Sequence, residues 1–209
     1  MKKLLHIIAT PRAEDSRTLK VTAAFLESFR KKYPHCDIDE LNVTTEALPS
    51  LTVQVVYGKY ILLGAGELTD ELKAAWRDVE RHINRFLSAD AYLISTPIWN
   101  FHIPYALKQY IDIIIQPKYL FRYTKDGVEG LVKNKKMAVI TSRGGDYGPD
   151  SPSRAYDFQE PYLRAIFGFV GITDITFVIA QPMDALGLKV QEEKIEAARI
   201  MAGNLADSF

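Results

Sequence analysis

The chain predicts an α/β fold, a doubly wound five-stranded parallel sheet with helices on both faces. Three observations carry that expectation. Apolar runs of strand length recur at Leu4–Ala9, Ile38–Leu41, Ala91–Ser95, Met137–Thr141 and Ile175–Ala180. Amphipathic stretches of helical length separate most of them. The strands are short and apolar, as they must be when helices bury a parallel sheet on both sides.

The elements follow in order. Leu4–Ala9, after Lys2 and Lys3, imitates the start of a secretory leader, but His6 interrupts it and Pro11 and Arg12 stop it. It is too short for the apolar region of a signal peptide and reads as a buried first strand. Leu19–Tyr33 places Val21, Phe25 and Phe29 at spacing four. Arg30, Lys31 and Lys32 gather at its end, where cations suit the helix dipole. Ile38–Leu41 is the second strand. The next segment, Leu48–Glu67, scatters Val, Tyr and Gly without a period and reads as an inserted excursion. Asp70–Leu87 opens after a Thr69 cap and carries Leu72, Trp76, Val79, Ile83 and Phe86 on one face. A helix over Tyr105–Ile115 follows the third strand. Tyr119–Leu131, "YLFRYTKDGVEGL", sets Asp126-Gly127 between alternating aromatics and a shorter apolar end, a hairpin signal. Helices over Glu160–Val170 and Val190–Asp207 flank the last strand. Five strands and five helices, with no repeat or linker, fit one domain over residues 1–209.

Composition narrows the function classes. An apolar content of 47% with 25% charge is that of a globular protein. Lys plus Arg equals Asp plus Glu at 26 each, so no global field attracts nucleic acid or an anionic membrane. The single cysteine, Cys36, excludes an internal disulfide framework and any CxxC metal or redox motif, and reads as an unreactive thiol. No metal site is expected. No run approaches the length of a membrane helix, and a cytoplasmic location is expected.

In an open α/β sheet, ligands sit beyond the carboxyl ends of the strands, where the strand order reverses. Three loops there are unusual. Thr10–Thr18, "TPRAEDSRT", lacks the glycine-rich dinucleotide fingerprint. It sets Ser16 and Thr18 at a helix start, with Arg12 and Arg17 nearby. Hydroxyls, free amides and the positive helix end suit a phosphate monoester, and equally a plain Ser or Asp cap. "TPIWNFHIP", residues 96–104, restricts its backbone with Pro97 and Pro104 and presents Trp99 as a wall and Asn100 as donor and acceptor. Backbone amides of Trp99, Asn100 and Phe101 suit the edge of a heteroaromatic ring, while His102 reads as a helix-start residue. "TSRGGDYG", residues 141–148, offers Gly144 and Gly145 for unusual backbone angles and close approach, Arg143 as a fixed charge and Tyr147 as a cover. Together they describe a site for a phosphate, a chain and a flat ring with amide-like edges, the shape of flavin mononucleotide (FMN).

On the motifs "PIWNFHIPYALKQYID", "FRYTKDGVEGL", "TSRGGDY" and "PYLRAIFGFVGI", the chain resembles the FMN-dependent NADH-azoreductases, also described as NADH:quinone oxidoreductases, over nearly its whole length. The family's usual Ser at the start of the phosphate loop is Thr10 here, and its frequent Ser-x-Ser is Ser16-Arg17-Thr18; both keep a hydroxyl. The resemblance implies a flavodoxin-like fold and a homodimer with one tightly bound, non-covalent FMN per subunit. It assigns Thr10, Ser16, Arg17 and Thr18 to the phosphate, and Pro97, Ile98, Trp99, Asn100 and Phe101 to one side of the ring. Ser142, Arg143, Gly144 and Gly145 fall to its polar edge. Tyr119, Phe121 and Tyr147 would line a substrate pocket, the first two on a hairpin near the partner's cofactor. NADH or NADPH would pass a hydride to the flavin, which passes it to a quinone or azo compound, ping-pong, with no obligatory side-chain acid or base. The alternatives are a flavodoxin-type electron carrier without a substrate pocket and a flavin-free binding module.

Overall fold

In the computed structural model, which describes residues 1–63 and 69–209, five strands make one parallel sheet: β1 (Lys3–Ile8), β2 (Asp37–Asn42), β3 (Ala91–Ser95), β6 (Lys136–Ser142) and β7 (Asp174–Ala180). Their spatial order is β2-β1-β3-β6-β7. The chain leaves β1 toward β2 on one side and returns to β3 on the other, so the order reverses between β1 and β3. That is the flavodoxin-like order, and it opens a crevice at the strands' carboxyl ends. A separate antiparallel hairpin, β4 (Phe121–Thr124) and β5 (Gly127–Gly130), lies between β3 and β6 in sequence.

Alternation along each strand decides which helices cover which face. Leu4, Leu93, Ala138, Ile140 and Val178 pack under α1 (Arg17–Lys32) and α6 (Leu188–Ser208), where Val21, Phe25, Phe29, Ala198 and Ala202 are buried. Leu5, Ile7, Tyr92, Ile94, Met137 and Val139 face the other way. They meet α3 (Asp70–Leu87), α4 (Tyr105–Ile114) and α5 (Gln159–Phe169) through Val79, Ile83, Phe86, Leu107, Tyr110 and Phe167. No helix among the described residues is long and apolar enough to cross a membrane.

Two expectations change. Leu48–Glu67 is not a featureless excursion: it contains a sixth helix, α2 (Val53–Leu62), capped by Thr52 Oγ1 accepting from Val55 N–H. Its apolar residues are spread around the helix, which removes the one-sided pattern that makes a helix legible. It is held on α3 where Trp76 Nε1 donates to the Val55 carbonyl at 3.1 Å. A Cβ on Gly58 would lie 1.6 Å from that indole nitrogen, so only glycine fits there. Residues 64–67 of the segment lie outside the described residues. The second change is at α1, which begins at Arg17 and not at Leu19. This small shift makes Ser16 the cap and puts Arg17 and Thr18 in the first turn.

One buried group gives a pH dependence. His82 on α3 is 1% exposed, neither ring nitrogen has a protein partner, and its ring lies edge-on to Tyr110 at 6.1 Å. Burial, and then the charge of Arg81, holds its pKa below the usual histidine value; Arg85 adds to this, while Glu46 and Asp78 oppose it. The unfolded chain therefore takes up a proton near about pH 6.5 that the folded chain refuses. Stability is level above that pH and falls as the pH drops below it. Urea midpoints measured from about pH 7.5 down to about 5.5 will show the fall, and His82→Leu will reduce its slope. An unchanged slope would place the proton uptake elsewhere.

Candidate functional site

Ser16 stands outside the helix in extended geometry, and its Oγ accepts from Leu19 N–H at 3.3 Å. The N–H groups of Arg17 and Thr18, first in the helix, have no acceptor within it and point out of its positive end. Thr18 Oγ1 lies 2.7 Å from Ser142 Oγ at the end of β6, tying the helix start to the sheet. Below this, Thr22 Oγ1 meets Ser95 Oγ at 2.8 Å, and Ser95 meets His6 Nε2 at 2.8 Å. A ladder of buried hydroxyls thus fixes the height of α1 over the strand ends. Because Ser16 caps the helix, Ser16→Ala is expected to lower unfolding stability by about 1 kcal/mol, read from urea curves.

The loop after β3 turns on itself. Trp99 and His102 exchange both backbone hydrogen bonds, at 2.8 and 2.9 Å. Asn100 and Phe101 between them have φ of 47° and 69°, a two-residue turn with both central residues left-handed. Asparagine tolerates that region; phenylalanine is strained there, by about 1–3 kcal/mol. The turn consumes the Trp99 amide and leaves those of Asn100 and Phe101 without an acceptor among the described residues. Trp99 and Phe101 remain 38% and 45% exposed. His102 stacks obliquely on Tyr162 at 4.8 Å, and burial holds its pKa low.

Arg143 follows β6 and is 1% exposed. Its Nη1 donates to Asp157 Oδ2 at 2.9 Å, while Nε and Nη2 have no hydrogen-bond acceptor. The fixed charge expected from the sequence is there, as half of a buried ion pair with donors to spare. Gly144 and Gly145 do not adopt positive φ. A Cβ on Gly144 would lie 2.6 Å from Asp184 Oδ2, the tip of a 64% exposed side chain that can shift to admit it. The N–H groups of both glycines have no acceptor among the described residues.

These loops meet. A cavity of 140 Å³ is lined by Thr10, Ser16, Arg17 and Thr18 from the first loop, Pro97, Ile98 and Trp99 from the second, and Ser142, Arg143 and Gly144 from the third. Arg12, Met183 and Asp184 complete it. Sequence reasoning does not assign Met183 or Asp184, although the end of β7 is a strand carboxyl end like the others. Arg17 Nη1 pairs with Asp184 Oδ1 at 2.5 Å across the rim. Asn100, Phe101 and Gly145 are not on its lining. Tyr147 sits beside the site, edge-on to Phe101 at 6.4 Å with Arg143 over its ring at 6.0 Å.

Tyr119 and Phe121 lie elsewhere. The Tyr119 hydroxyl donates to Glu80 and its ring stacks on Trp76; its pKa is pushed up to about 12, chiefly by burial. Phe121 is 5% exposed and packs on Phe169. Within one chain neither reaches the cavity. Phe121 instead lines a more apolar cavity of 460 Å³ between α2, α4 and α5, where Leu51, Val55, Ile111 and Ile166 stand beside Lys59, Asp112 and Gln116.

The chemistry of the smaller cavity fits one end of FMN. Its unused donors are two helix-start amides, an arginine, hydroxyls and the spare nitrogens of a buried guanidinium, all suited to an anion and to ring carbonyls. Its volume is below the roughly 300 Å³ of a whole small-molecule site, so it accounts for the anionic end alone. A flat remainder would extend over the open side marked by Trp99.

Comparison with known proteins gives the family and the fold. A family model described as flavodoxin-like fold matches residues 2–205. An FMN-dependent NADH:quinone oxidoreductase of Nitratidesulfovibrio vulgaris is 38% identical over 206 residues, 97% of this chain and 99% of that protein. One from Ruegeria pomeroyi is 40% identical over 184 residues, covering 87% and 90%. Among solved structures, an azoreductase from Bacillus anthracis superposes with a TM-score of 0.91 at 31% identity over 100% of both chains. An FMN-dependent NADH-azoreductase from the same organism, in complex with FMN, gives 0.86 at 32% identity over 99% and 100%.

Proposed function

The chain belongs to the family with the flavodoxin-like fold whose model spans residues 2–205, and from that premise we propose that it is an FMN-dependent NADH:quinone oxidoreductase that also reduces azo compounds. The observation that carries this reading is the meeting of unspent donors from Arg17, Thr18 and Arg143 in one cavity that opens beside an exposed indole. A pure electron carrier is the weaker reading, because the matched relatives are oxidoreductases and azoreductases by name.

Thr10, Ser16, Arg17 and Thr18 would hold the phosphate. The free amides and positive end of α1 offset its charge, and the hydroxyl ladder keeps that helix end in place. Pro97, Ile98, Trp99, Asn100 and Phe101 would flank the ring on one side, with Trp99 excluding water from that face. Ser142, Arg143, Gly144 and Gly145 would face its polar edge, where fixed N–H donors stabilise negative charge without reorganising. When bound, FMN supplies the two-electron chemistry, taking a hydride from NADH or NADPH and delivering it to the acceptor. No side chain of the site needs to transfer a proton. Met183 and Asp184 complete the rim with Arg12.

The active form in this reading is a cytoplasmic homodimer. Val53, Tyr57 and Tyr60 on α2 are 71%, 62% and 56% exposed, an apolar surface that a monomer would leave in water. Tyr123 on the hairpin adds to it. Tyr119 and Phe121 then act by supporting that surface and Tyr147 by covering the ring edge.

The test is direct. Acid release from the purified protein will yield FMN and not FAD. Double-reciprocal plots for NADH and a quinone will be parallel, because two flat molecules cannot share the one open ring face. Sedimentation will show a dimer. Bound FAD, intersecting lines or a fully active monomer would each overturn the corresponding part.

A further inference from the structure

The segment Asp157–Gln159, at the start of α5, is on neither the cavity lining nor the substrate pocket expected from the sequence. Yet it holds both loops that flank the ring position. Gln159 is wholly buried, at 0% exposure. Its Nε2 donates to the Pro97 carbonyl at 2.8 Å, and its Oε1 accepts from Thr141 Oγ1 at 2.9 Å. The Phe158 N–H donates to the Phe101 carbonyl at 3.1 Å. Asp157 Oδ2 takes Arg143 Nη1 at 2.9 Å, while Oδ1 accepts from the N–H groups of Gln159 and Glu160 at 3.1 Å each.

Three consecutive residues therefore grip the Pro97–Phe101 loop at both ends and the post-β6 loop at Arg143. The carboxamide can sit only one way round. Reversed, it would set an oxygen against the Pro97 carbonyl, two acceptors with no proton between them. Pro97 has no N–H of its own; its carbonyl, which also accepts from Thr96 Oγ1 at 3.2 Å, is where α5 holds this end of the loop, beside the direct bond from Ile98 N–H to the Ser142 carbonyl at 3.1 Å.

We propose that Gln159 is a positioning residue that sets the spacing between the Pro97–Phe101 loop and the Ser142–Gly145 loop, and so the geometry in which a flat ring is held. The role rests on the FMN reading for its consequence but not for its existence. A burial role alone would ask only for an apolar side chain of the same volume. The observed residue uses one end of its amide on the Pro97–Phe101 loop and the other on Thr141, the strand residue of β6 that leads into the second loop.

The experiment uses full-length protein. The chain has two tryptophans, so Trp76→Phe leaves Trp99 as the sole indole reporter on the loop. In that background, Gln159→Leu removes both bonds and Gln159→Glu turns an acceptor toward Pro97. Thr141→Val removes only the bond at Oε1. In flavin-free protein, acrylamide quenching of Trp99 should rise about twofold or more for Gln159→Leu and Gln159→Glu, and less for Thr141→Val. In FMN-loaded protein the same two Gln159 variants should shift the visible flavin bands and the midpoint potential. FMN affinity should change by less than about threefold, because the phosphate grip lies at α1. Unchanged quenching in the folded Gln159 variants, or lowered melting temperature with unchanged flavin spectrum and potential, would overturn the proposal. If Gln159→Leu fails to fold, Gln159→Glu and Thr141→Val decide by the same readouts. Should the parent protein bind no FMN, the functional reading falls, and the Trp99 measurement still judges the clamp.

Discussion

Asp157→Asn is expected to lower the free energy of unfolding by about 3–5 kcal/mol, a large effect for a single residue. Asp157 and Arg143 are buried together, with side chains 0% and 1% exposed. Removing the carboxylate charge leaves a guanidinium in a poorly solvated place where only Glu160, at 4.0 Å, can partly replace it. Asn keeps an oxygen for the N–H groups of Gln159 and Glu160, so the loss reports the ion pair and not the helix cap. Asp157→Ala removes the cap as well and should cost about 1 kcal/mol more. The double variant Arg143→Met, Asp157→Asn removes the orphaned charge and should recover most of the stability, since buried pairs are often no better than apolar replacements. Urea denaturation of the three proteins at one pH decides it. A loss below about 1 kcal/mol for Asp157→Asn would mean that Arg143 reaches water or another partner when Asp157 is neutral.

Arg17→Ala is expected to weaken FMN binding by about tenfold to a hundredfold, with little effect on stability. The Arg17 guanidinium lies across the rim of the cavity and is held by Asp184. A charge-assisted hydrogen bond to a phosphate contributes about 1.5–3 kcal/mol, which sets the range. The pair with Asp184 is more than half exposed on the carboxylate side, so its own contribution to folding is at most about 1 kcal/mol. Arg17→Lys should regain part of the affinity, because it keeps the charge but loses the planar fork. Fluorescence titration of the flavin-free parent and both variants with FMN separates the three. Equal dissociation constants for the parent and the Arg17→Ala variant would move the phosphate to the helix amides, Thr18 or Arg12. Ser16→Ala should differ from Arg17→Ala by losing helix stability as well as a phosphate contact, since Ser16 caps α1.

Much of this is determined by the sequence by itself. The five strand runs appear as β1, β2, β3, β6 and β7; the inner three, β1, β3 and β6, are buried and apolar along most of their length, whereas edge strand β2 buries only Leu41 and is marked by its place in the alternation. The helix faces of α1 and α3 are legible for a similar reason: each buries one side and wets the other. Asp126-Gly127 marks its hairpin because Gly127 takes φ of 120°, which few other residues tolerate. Three strand-end loops with hydroxyls, arginines, an indole and a glycine pair stand out in the chain alone, since plain connections do not need those side chains.

Other features depend on contacts between residues far apart in the chain. α2 is not legible because its apolar residues surround the helix, and its place is set by one indole on α3. The left-handed turn at Asn100-Phe101 is imposed by the exchange between Trp99 and His102 and has no glycine to announce it. Gly144 and Gly145 suggest unusual angles, but neither takes a positive φ, and Gly144 lies against the side chain of Asp184, a residue far along the chain. Arg143 reads as a fixed charge in the sequence, but only the fold sets Asp157 beside it, while Gln159 carries no signal at all. Local pattern reports what a residue does to its neighbours in sequence, namely period, cap and turn. Which charge is neutralised, which carbonyl is gripped and which loops share a cavity depend on the packing of strands and helices that only the folded chain brings together.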